Sequence, residues 1–167
     1  MGNQALFYPA AGYPHKNHKI LNDMENFEES SQLINEMCIT LKYEEKRHFP
    51  MWVNNLGRLS SQACGEYYQS VDALFFPSLT ESYGLPLIEA MICGLPIVCA
   101  DLDYAHCVCG EQAIYFDPDD PVSAIKALVL LRCKLATGWQ PDWSIALAKL
   151  PASWDEVVQK FLKLLEK

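Results

Sequence analysis

Short apolar runs alternate with segments of helical pattern along most of this chain, and this alternation limits the possible folds more than any other feature. The clearest run is ALFFP at 73–77, a continuous apolar stretch typical of a strand covered on both faces. Further apolar runs predict strands at 5–8, 37–41, 52–54, 97–100 and 113–116. Strands that alternate with helices form a parallel sheet with helices on both faces, so we predict that α/β architecture.

The helices have recognisable boundaries. Pro86 suits the first position of a helix that ends near Cys93, and Gly94 suits the left-handed stop after it. Asp120 and Pro121 open a helix in the same way. Other helical patterns lie at 17–21, 60–71 and 153–167. An acidic surface stretch at 25–29 follows the first of them, and an irregular connection precedes the last.

This pattern divides the chain into three parts. We predict one ligand-binding domain at 1–133, an irregular connection at 134–150, and a C-terminal helix at 151–167 that packs on or near a domain interface. Ser153 and Glu156 have the spacing of a capping box at the start of that last helix.

The composition excludes several classes of protein. Half of the 167 residues are hydrophobic, yet no apolar run is long enough to span a bilayer and no signal peptide opens the chain. A formal net charge of −8 argues against nucleic-acid binding. The seven cysteines lack metal-ligand spacing, so we predict reduced thiols and no metal or other cofactor.

The segment PSLTESYGLPLIEAMICGLPIV at 77–98 carries the strongest chemical signal. Glu81 follows a buried strand, Gly84 allows close backbone approach, and Glu89 lies one turn into the next helix, so both glutamates can flank one pocket. The start of that helix favours an anion, and carboxylates accept hydrogen bonds from the paired hydroxyls of a sugar or a ribose. Each glutamate alone would also fit an ordinary solvated or ion-paired side chain.

The segment ESYGLPLIEAMICGLPIV resembles the E-x7-E region of the family 4 glycosyltransferases with the GT-B fold (glycosyl transferases group 1). Four more segments resemble that family in the same order: FYPAAGYPHKNHKIL, LGRLSSQACGEYYQSVDALFFPSLTE, CADLDYAHCVCGEQAIYFDPDDP and SWDEVVQKFLKLLEK. The resemblance implies the Rossmann-like C-terminal half of such an enzyme, which binds the nucleotide-sugar donor.

The resemblance also implies a role for each residue of the motif. Glu81 would contact the hydroxyls of the transferred sugar, and Glu89 would hold the nucleotide ribose. Lys16 would lie against the diphosphate, where Gly84 and Leu85 would offer backbone amides. Glu81 and Lys16 are the catalytic candidates, because the lysine and the helix start would stabilise charge on the departing phosphate without a metal.

Two positions depart from the family pattern. Ala11 stands where an arginine is usual, and Cys107 stands where a glutamate is usual. Arg58 is the candidate to replace the missing positive charge in space. His15, His18, His48 and His106 are interpreted as surface or capping residues, and Tyr67 and Tyr68 as packing residues.

The function implied is retaining transfer of a hexose-type sugar in cell-surface polysaccharide or lipopolysaccharide synthesis. A glycan or lipid-linked acceptor would bind through an N-terminal domain missing here. The enzyme is predicted to be cytoplasmic, and any contact with the inner face of the membrane would be made by that domain. The isolated chain is then predicted to be inactive.

Three other readings stay open. The chain could be a non-catalytic nucleotide-sugar-binding module or a truncated remnant. A sugar-nucleotide epimerase shares a related fold, and a retaining glycoside hydrolase also uses two carboxylates. The helix start between Glu81 and Glu89 favours a phosphate leaving group over hydrolysis.

Overall fold

In the computed structural model, which describes residues 4–42, 48–151 and 156, six parallel strands form one sheet in the order β3–β2–β1–β4–β5–β6. The strands are β1 (Gln4–Tyr8), β2 (Ile34–Ile39), β3 (Val53–Asn55), β4 (Ala73–Phe76), β5 (Ile97–Ala100) and β6 (Ile114–Phe116). The predicted parallel α/β sheet is confirmed, and each predicted strand lies within a few residues of an observed one.

The centre of the sheet is buried because helices cover both faces. Every residue of β4 and of β5 is buried, and their backbones pair at Leu74 with Ile97 and at Phe75 with Val98. These strands therefore need a continuous apolar sequence, whereas apolar and polar residues would alternate along a strand with one face exposed to solvent.

Seven α-helices connect or follow the strands in the described residues. They are α1 (Lys19–Glu25), α2 (Glu28–Leu33), α3 (Ser61–Ser70), α4 (Leu85–Ile92), α5 (Asp103–Cys109), α6 (Pro121–Ala136) and α7 (Ser144–Ala148). Helices α1, α2 and α6 pack against one another, while α4 packs against α3, α5 and α7. The connection from β1 to β2 moves towards the β3 edge of the sheet, and the connection from β4 to β5 moves towards the β6 edge. Because such connections are right-handed, the α1 group of helices and the α4 group lie on opposite faces of the sheet.

The predicted helix boundaries have the expected chemistry. The Asp120 side chain accepts from the Val122 amide over 2.8 Å at the start of α6, and Ser60 accepts from Ala63 over 3.2 Å at the start of α3. Gly94 has a φ of +70°, so the chain after α4 turns through a conformation that side chains rarely adopt.

The structure corrects two expectations. The end of the acidic stretch predicted at 25–29 begins a helix, α2, whose buried Ser30 and Leu33 give it an inward face. The segment 134–150 is not an irregular connection throughout, because α6 continues to Ala136 and α7 lies within it. Trp143 holds this segment in place, since its buried indole donates to the Leu95 carbonyl oxygen over 3.1 Å. The predicted closing helix at 153–167 lies outside the described residues except for Glu156, which is helical.

Candidate functional site

The candidate residues lie on loops and helix starts at one edge of the sheet. In parallel strands all carboxyl ends meet at the same edge, and ligands of such sheets bind there. The loop after β1 carries Lys16, and the loop after β4 carries Glu81 and leads into α4. Two backbone-linked contacts join these loops: the Leu79 amide donates to the His15 carbonyl oxygen over 2.7 Å, and the Ser78 hydroxyl donates to the same oxygen over 3.3 Å.

Lys16 lies at the end of a short 3-10 helix, Pro14–Lys16. The Tyr8 hydroxyl, at the end of β1, donates to the Lys16 carbonyl oxygen. Asn17 then adopts a left-handed conformation with φ of +54°, and its side-chain amide donates to Pro118 over 2.9 Å. The backbone around Lys16 is therefore fixed on both sides.

The Lys16 ammonium pairs with the Glu81 carboxylate. Their side chains are only 15% and 12% exposed, so both charges lie mostly out of water. The ammonium also lies 5.7 Å from the centre of the Phe76 ring, at the end of β4. The structure thus brings together two residues that the sequence placed 65 positions apart.

Gly84 is the residue that makes the start of α4 possible. It has φ of +72° and ψ of 45°, and a Cβ there would lie 3.1 Å from the Leu87 side chain. Leu87 donates its amide to the Gly84 carbonyl oxygen over 2.9 Å, and Pro86 has no amide hydrogen. The Gly84 and Leu85 amides are therefore the first-turn donors left for a ligand, the same two that the resemblance implies.

Glu89 is exposed on α4, and Tyr68 of α3 orients it. The Tyr68 hydroxyl donates to Glu89 Oε2 over 2.8 Å, while the ring is buried edge-on against Phe7 with centroids 5.1 Å apart. Burial raises the pKa of the Tyr68 hydroxyl well above its ordinary value, and the Glu89 carboxylate raises it further. Tyr68 therefore stays protonated and remains a donor.

A groove of about 560 Å³ runs past Glu89 and the start of α4. Its walls include Leu85, Pro86 and Glu89 on one side and residues after β1, β2 and β3 on the other, namely Pro9, Ala10, Ala11, Tyr13, Thr40, Lys42, Arg58 and Leu59. Arg58 and Ala11 line this one groove, as the sequence hypothesis for Arg58 requires. Of the predicted site residues, Leu85 and Glu89 line this groove. Lys16 and Glu81 do not line it and form a mostly buried pair of their own.

A second groove of about 330 Å³ lies on the other side of Glu89, between α3 and α4. It is lined by Leu59, Ser61, Cys64, Gly65, Tyr68, Glu89, Ile92 and Cys93. Burial raises the pKa of the Cys64 and Cys93 thiols, and the Glu89 carboxylate raises both further. Lys42 and Arg58 line only the first of these grooves, and Glu89 lies where this charged groove meets the second.

The hydroxyl groups of three tyrosines make hydrogen bonds at the site that the sequence analysis did not predict. Tyr68 holds Glu89, Tyr8 holds the Lys16 backbone, and Tyr104 of α5 donates to the Ser78 carbonyl oxygen over 2.6 Å. Tyr68 is a packing residue as predicted, but its hydroxyl has this second task. A tyrosine that ends a buried strand, such as Tyr8, is a signal that could have been noticed, because its hydroxyl must find a partner.

The described part of the chain contains neither a cluster of metal ligands nor a helix that could span a membrane. Residues 4–42, 48–151 and 156 contain no group of three or more His, Cys, Asp or Glu residues placed to hold a metal ion. Nor does any helix among them have the length and apolar character needed to cross a membrane.

The sequence matches a known family. The model for glycosyl transferases group 1 matches residues 36–132, which is more than half of the chain. The match begins within β2, continues through β6, and includes α4 and most of α6.

Individual relatives are longer proteins. The chain is 35% identical over 79 residues to the O-antigen chain mannosyltransferase B of Escherichia coli, covering 47% of this chain and 20% of that protein. It is 29% identical over 126 residues to the O-antigen chain mannosyltransferase RfbU of Salmonella typhimurium, covering 68% of this chain and 34% of that protein. The chain thus spans between a fifth and about a third of the length of these relatives.

Solved structures agree on the fold. A crystal structure of TarM superposes with a TM-score of 0.70 at 19% identity, covering 99% of this chain and 35% of that one. Sucrose-phosphate synthase from Thermosynechococcus elongatus superposes with a TM-score of 0.65 at 15% identity, covering 98% and 45%. These likenesses confirm the predicted Rossmann-like fold of the GT-B glycosyltransferases.

Proposed function

The chain belongs to the glycosyl transferases group 1 family, and we propose that it is the donor-binding part of a retaining glycosyltransferase. Its donor would be a nucleotide-diphosphate sugar from which a hexose-type sugar is transferred. The observation that carries this proposal is the groove in which an exposed, oriented Glu89 lies beside the open start of α4. That combination offers hydroxyl acceptors and anion donors within one site.

The nucleotide would bind across Glu89. The carboxylate, held by Tyr68, would accept hydrogen bonds from the two ribose hydroxyls, and the second groove, between α3 and α4, would take the base. The diphosphate would then lie in the charged groove, against the Gly84 and Leu85 amides at the start of α4. A diphosphate suits this position because the helix dipole and the unpaired amides both favour negative charge.

The transferred sugar would lie towards the Lys16–Glu81 pair. Glu81 would accept from sugar hydroxyls, and Lys16 would approach the phosphate that leaves the sugar. A cation and oriented amides at the leaving phosphate stabilise the charge that develops there in the transition state, without a metal ion. Both side chains are mostly buried, which strengthens these interactions relative to water.

The acceptor and the pathway are proposed from the relatives. Two relatives are mannosyltransferases named for the O-antigen chain, so we propose a glycan or lipid-linked acceptor in cell-surface polysaccharide synthesis. The acceptor would bind through a facing domain that completes the cleft. Under this proposal the isolated chain binds donor but does not transfer sugar.

A second candidate is a non-catalytic nucleotide-sugar-binding module. Two observations favour it: Ala11 replaces the arginine usual in the family, and Lys16 is already paired with Glu81. This candidate shares the binding site and differs only in never forming a working enzyme.

Calorimetric titration of the 167-residue chain with UDP, GDP, UDP-glucose and GDP-mannose tests the proposal. We expect weak binding of one base type, lost in Glu89→Gln and kept in the control Glu29→Gln, an exposed glutamate on α2. Failure of the wild-type chain to bind any of these ligands would contradict donor binding. Co-expression with a facing Rossmann-like domain separates the two candidates, because only the enzyme gains transfer.

A further inference from the structure

We propose that Arg58 is a diphosphate-binding residue of this chain and supplies the positive charge that Ala11 does not. This inference rests on the proposed donor site and names a residue that recognises the phosphates. The chemical class of ligand is an organic diphosphate, with inorganic pyrophosphate as its simplest probe.

Lys16 already has a counter-charge. Its ammonium is paired with Glu81, and the two side chains are mostly buried. A charge already compensated by a carboxylate offers an incoming dianion much less attraction than an uncompensated one. The site therefore needs another cation if it is to hold a diphosphate.

The wall of the groove carries two positive side chains. Lys42 and Arg58 are both exposed and both line the groove that contains the start of α4. Neither forms an ion pair within the part of the chain that the structure describes, and Glu89 is the one carboxylate among the lining residues. In a chain with net charge −8, the groove is thus a local excess of positive charge.

Hydrogen bonds of the preceding backbone fix the turn that carries Arg58. Its predecessor Gly57 has φ of +72° and donates its amide to the Asn55 side-chain oxygen over 3.1 Å, at the end of β3. The Leu56 amide donates to the Ile39 carbonyl oxygen over 2.9 Å, which ties this turn to β2. Arg58 therefore projects from an anchored turn into the groove rather than from a free loop.

The side chain of an arginine suits a phosphate better than that of a lysine. A guanidinium is charged at every relevant pH and donates two parallel hydrogen bonds to a phosphate, whereas a lysine acts as a point charge. Ala11 is exposed on the same groove, so a longer side chain at that position would meet solvent and not the core.

Titration of the full 167-residue chain with pyrophosphate and with GDP and UDP tests the proposal. For Arg58→Ala we expect affinity for pyrophosphate and for the bound nucleoside diphosphate to fall roughly tenfold or more, with the matching nucleoside unchanged. The control Arg132→Ala, on α6, should bind like the wild type. The double variant Ala11→Arg with Arg58→Ala should regain most of the affinity, because it returns a guanidinium to the same groove.

The outcomes are distinct. Equal diphosphate binding by Arg58→Ala and the wild type overturns the role of Arg58 and leaves the proposed function standing. Equal loss of nucleoside and diphosphate, with no recovery in the double variant, also overturns it, because Arg58 would then hold the base or the fold. If the wild-type chain binds none of these ligands, the proposed function fails first.

Discussion

Lys16 and Glu81 form a mostly buried ion pair that joins the loop after β1 to the loop after β4. Both residues were assigned to the donor from sequence, the lysine to the phosphates and the glutamate to the sugar. The structure shows that they are partners before any ligand binds. A bound sugar nucleotide would therefore have to share or replace this pair, and substitutions at either residue affect both stability and binding.

Lys16→Ala should weaken diphosphate binding more than monophosphate or nucleoside binding. One charge-assisted contact to phosphate contributes at most about 1.5–3 kcal/mol, and the pairing of Lys16 with Glu81 lowers that contribution. Equal losses for nucleoside and diphosphate would mean that Lys16 is not at the phosphates.

The same substitution should lower the free energy of unfolding, because Glu81 would be left as an uncompensated carboxylate with 12% of its side chain exposed. We expect a cost of about 1.5–3 kcal/mol in urea denaturation. Adding Glu81→Gln should recover part of that cost, since glutamine needs no counter-charge. Lys19→Ala is the matched control, because its ion pair with Asp23 is exposed and contributes little. Additive losses in the double variant would contradict a coupled pair.

Glu81→Gln and Glu89→Gln should give different binding profiles. Glu89→Gln should weaken every ribonucleotide, with or without its sugar. Glu81→Gln should not weaken the binding of free nucleoside diphosphates, because it releases the charge of Lys16, and it should reduce only the extra affinity of the sugar-bearing donor. Each lost hydroxyl-to-carboxylate bond contributes on the order of 1–3 kcal/mol. Identical profiles across nucleoside, nucleotide and sugar nucleotide would show that the two roles are not separate.

Cys93 is exposed, yet it should react slowly with iodoacetamide at mildly alkaline pH, since partial burial of its thiol and the Glu89 carboxylate raise its pKa and only the thiolate reacts. In Glu89→Gln the second cause is gone, so the pKa should fall and the pH of half-maximal alkylation with it. Mass spectrometry of the Cys93 peptide measures this rate, with exposed Cys133 on α6 as the internal control. An unchanged pH profile at Cys93, or an equal shift at Cys133, would contradict the proximity of Glu89.

Trp143→Ala should destabilise the fold by about 3–5 kcal/mol, because it empties a buried site and leaves the Leu95 carbonyl oxygen without its indole donor. The half-buried Trp139, whose ring stacks on Lys134, is the control and should cost clearly less. Thermal unfolding followed by circular dichroism compares them. Similar losses for both tryptophans would mean that the segment around α7 does not brace the domain.

The strands could be predicted from sequence because apolar runs such as 73–76 and 97–100 are read directly as buried parallel strands. The start of α4 could also be predicted, since Gly84 and Pro86 determine the backbone there through their own conformational preferences. What sequence could not supply were long-range side-chain partners. The bond from Tyr68 to Glu89 spans 21 positions, and the pairing of Lys16 with Glu81 spans 65. Helix α2 was missed because its polar, acidic sequence hides an inward face of only two residues, Ser30 and Leu33.

A hydrogen–deuterium exchange map of the wild-type chain, with and without saturating GDP-mannose or UDP-glucose, tests the location of the donor site most directly. We expect slower exchange at the carboxyl edge of the sheet, in peptides covering residues 9–17, 56–59 and 77–89. Peptides of α6, away from that edge, should not change. Protection confined to α6 or to the amino ends of the strands, or no protection with either ligand, would contradict a donor site at this edge.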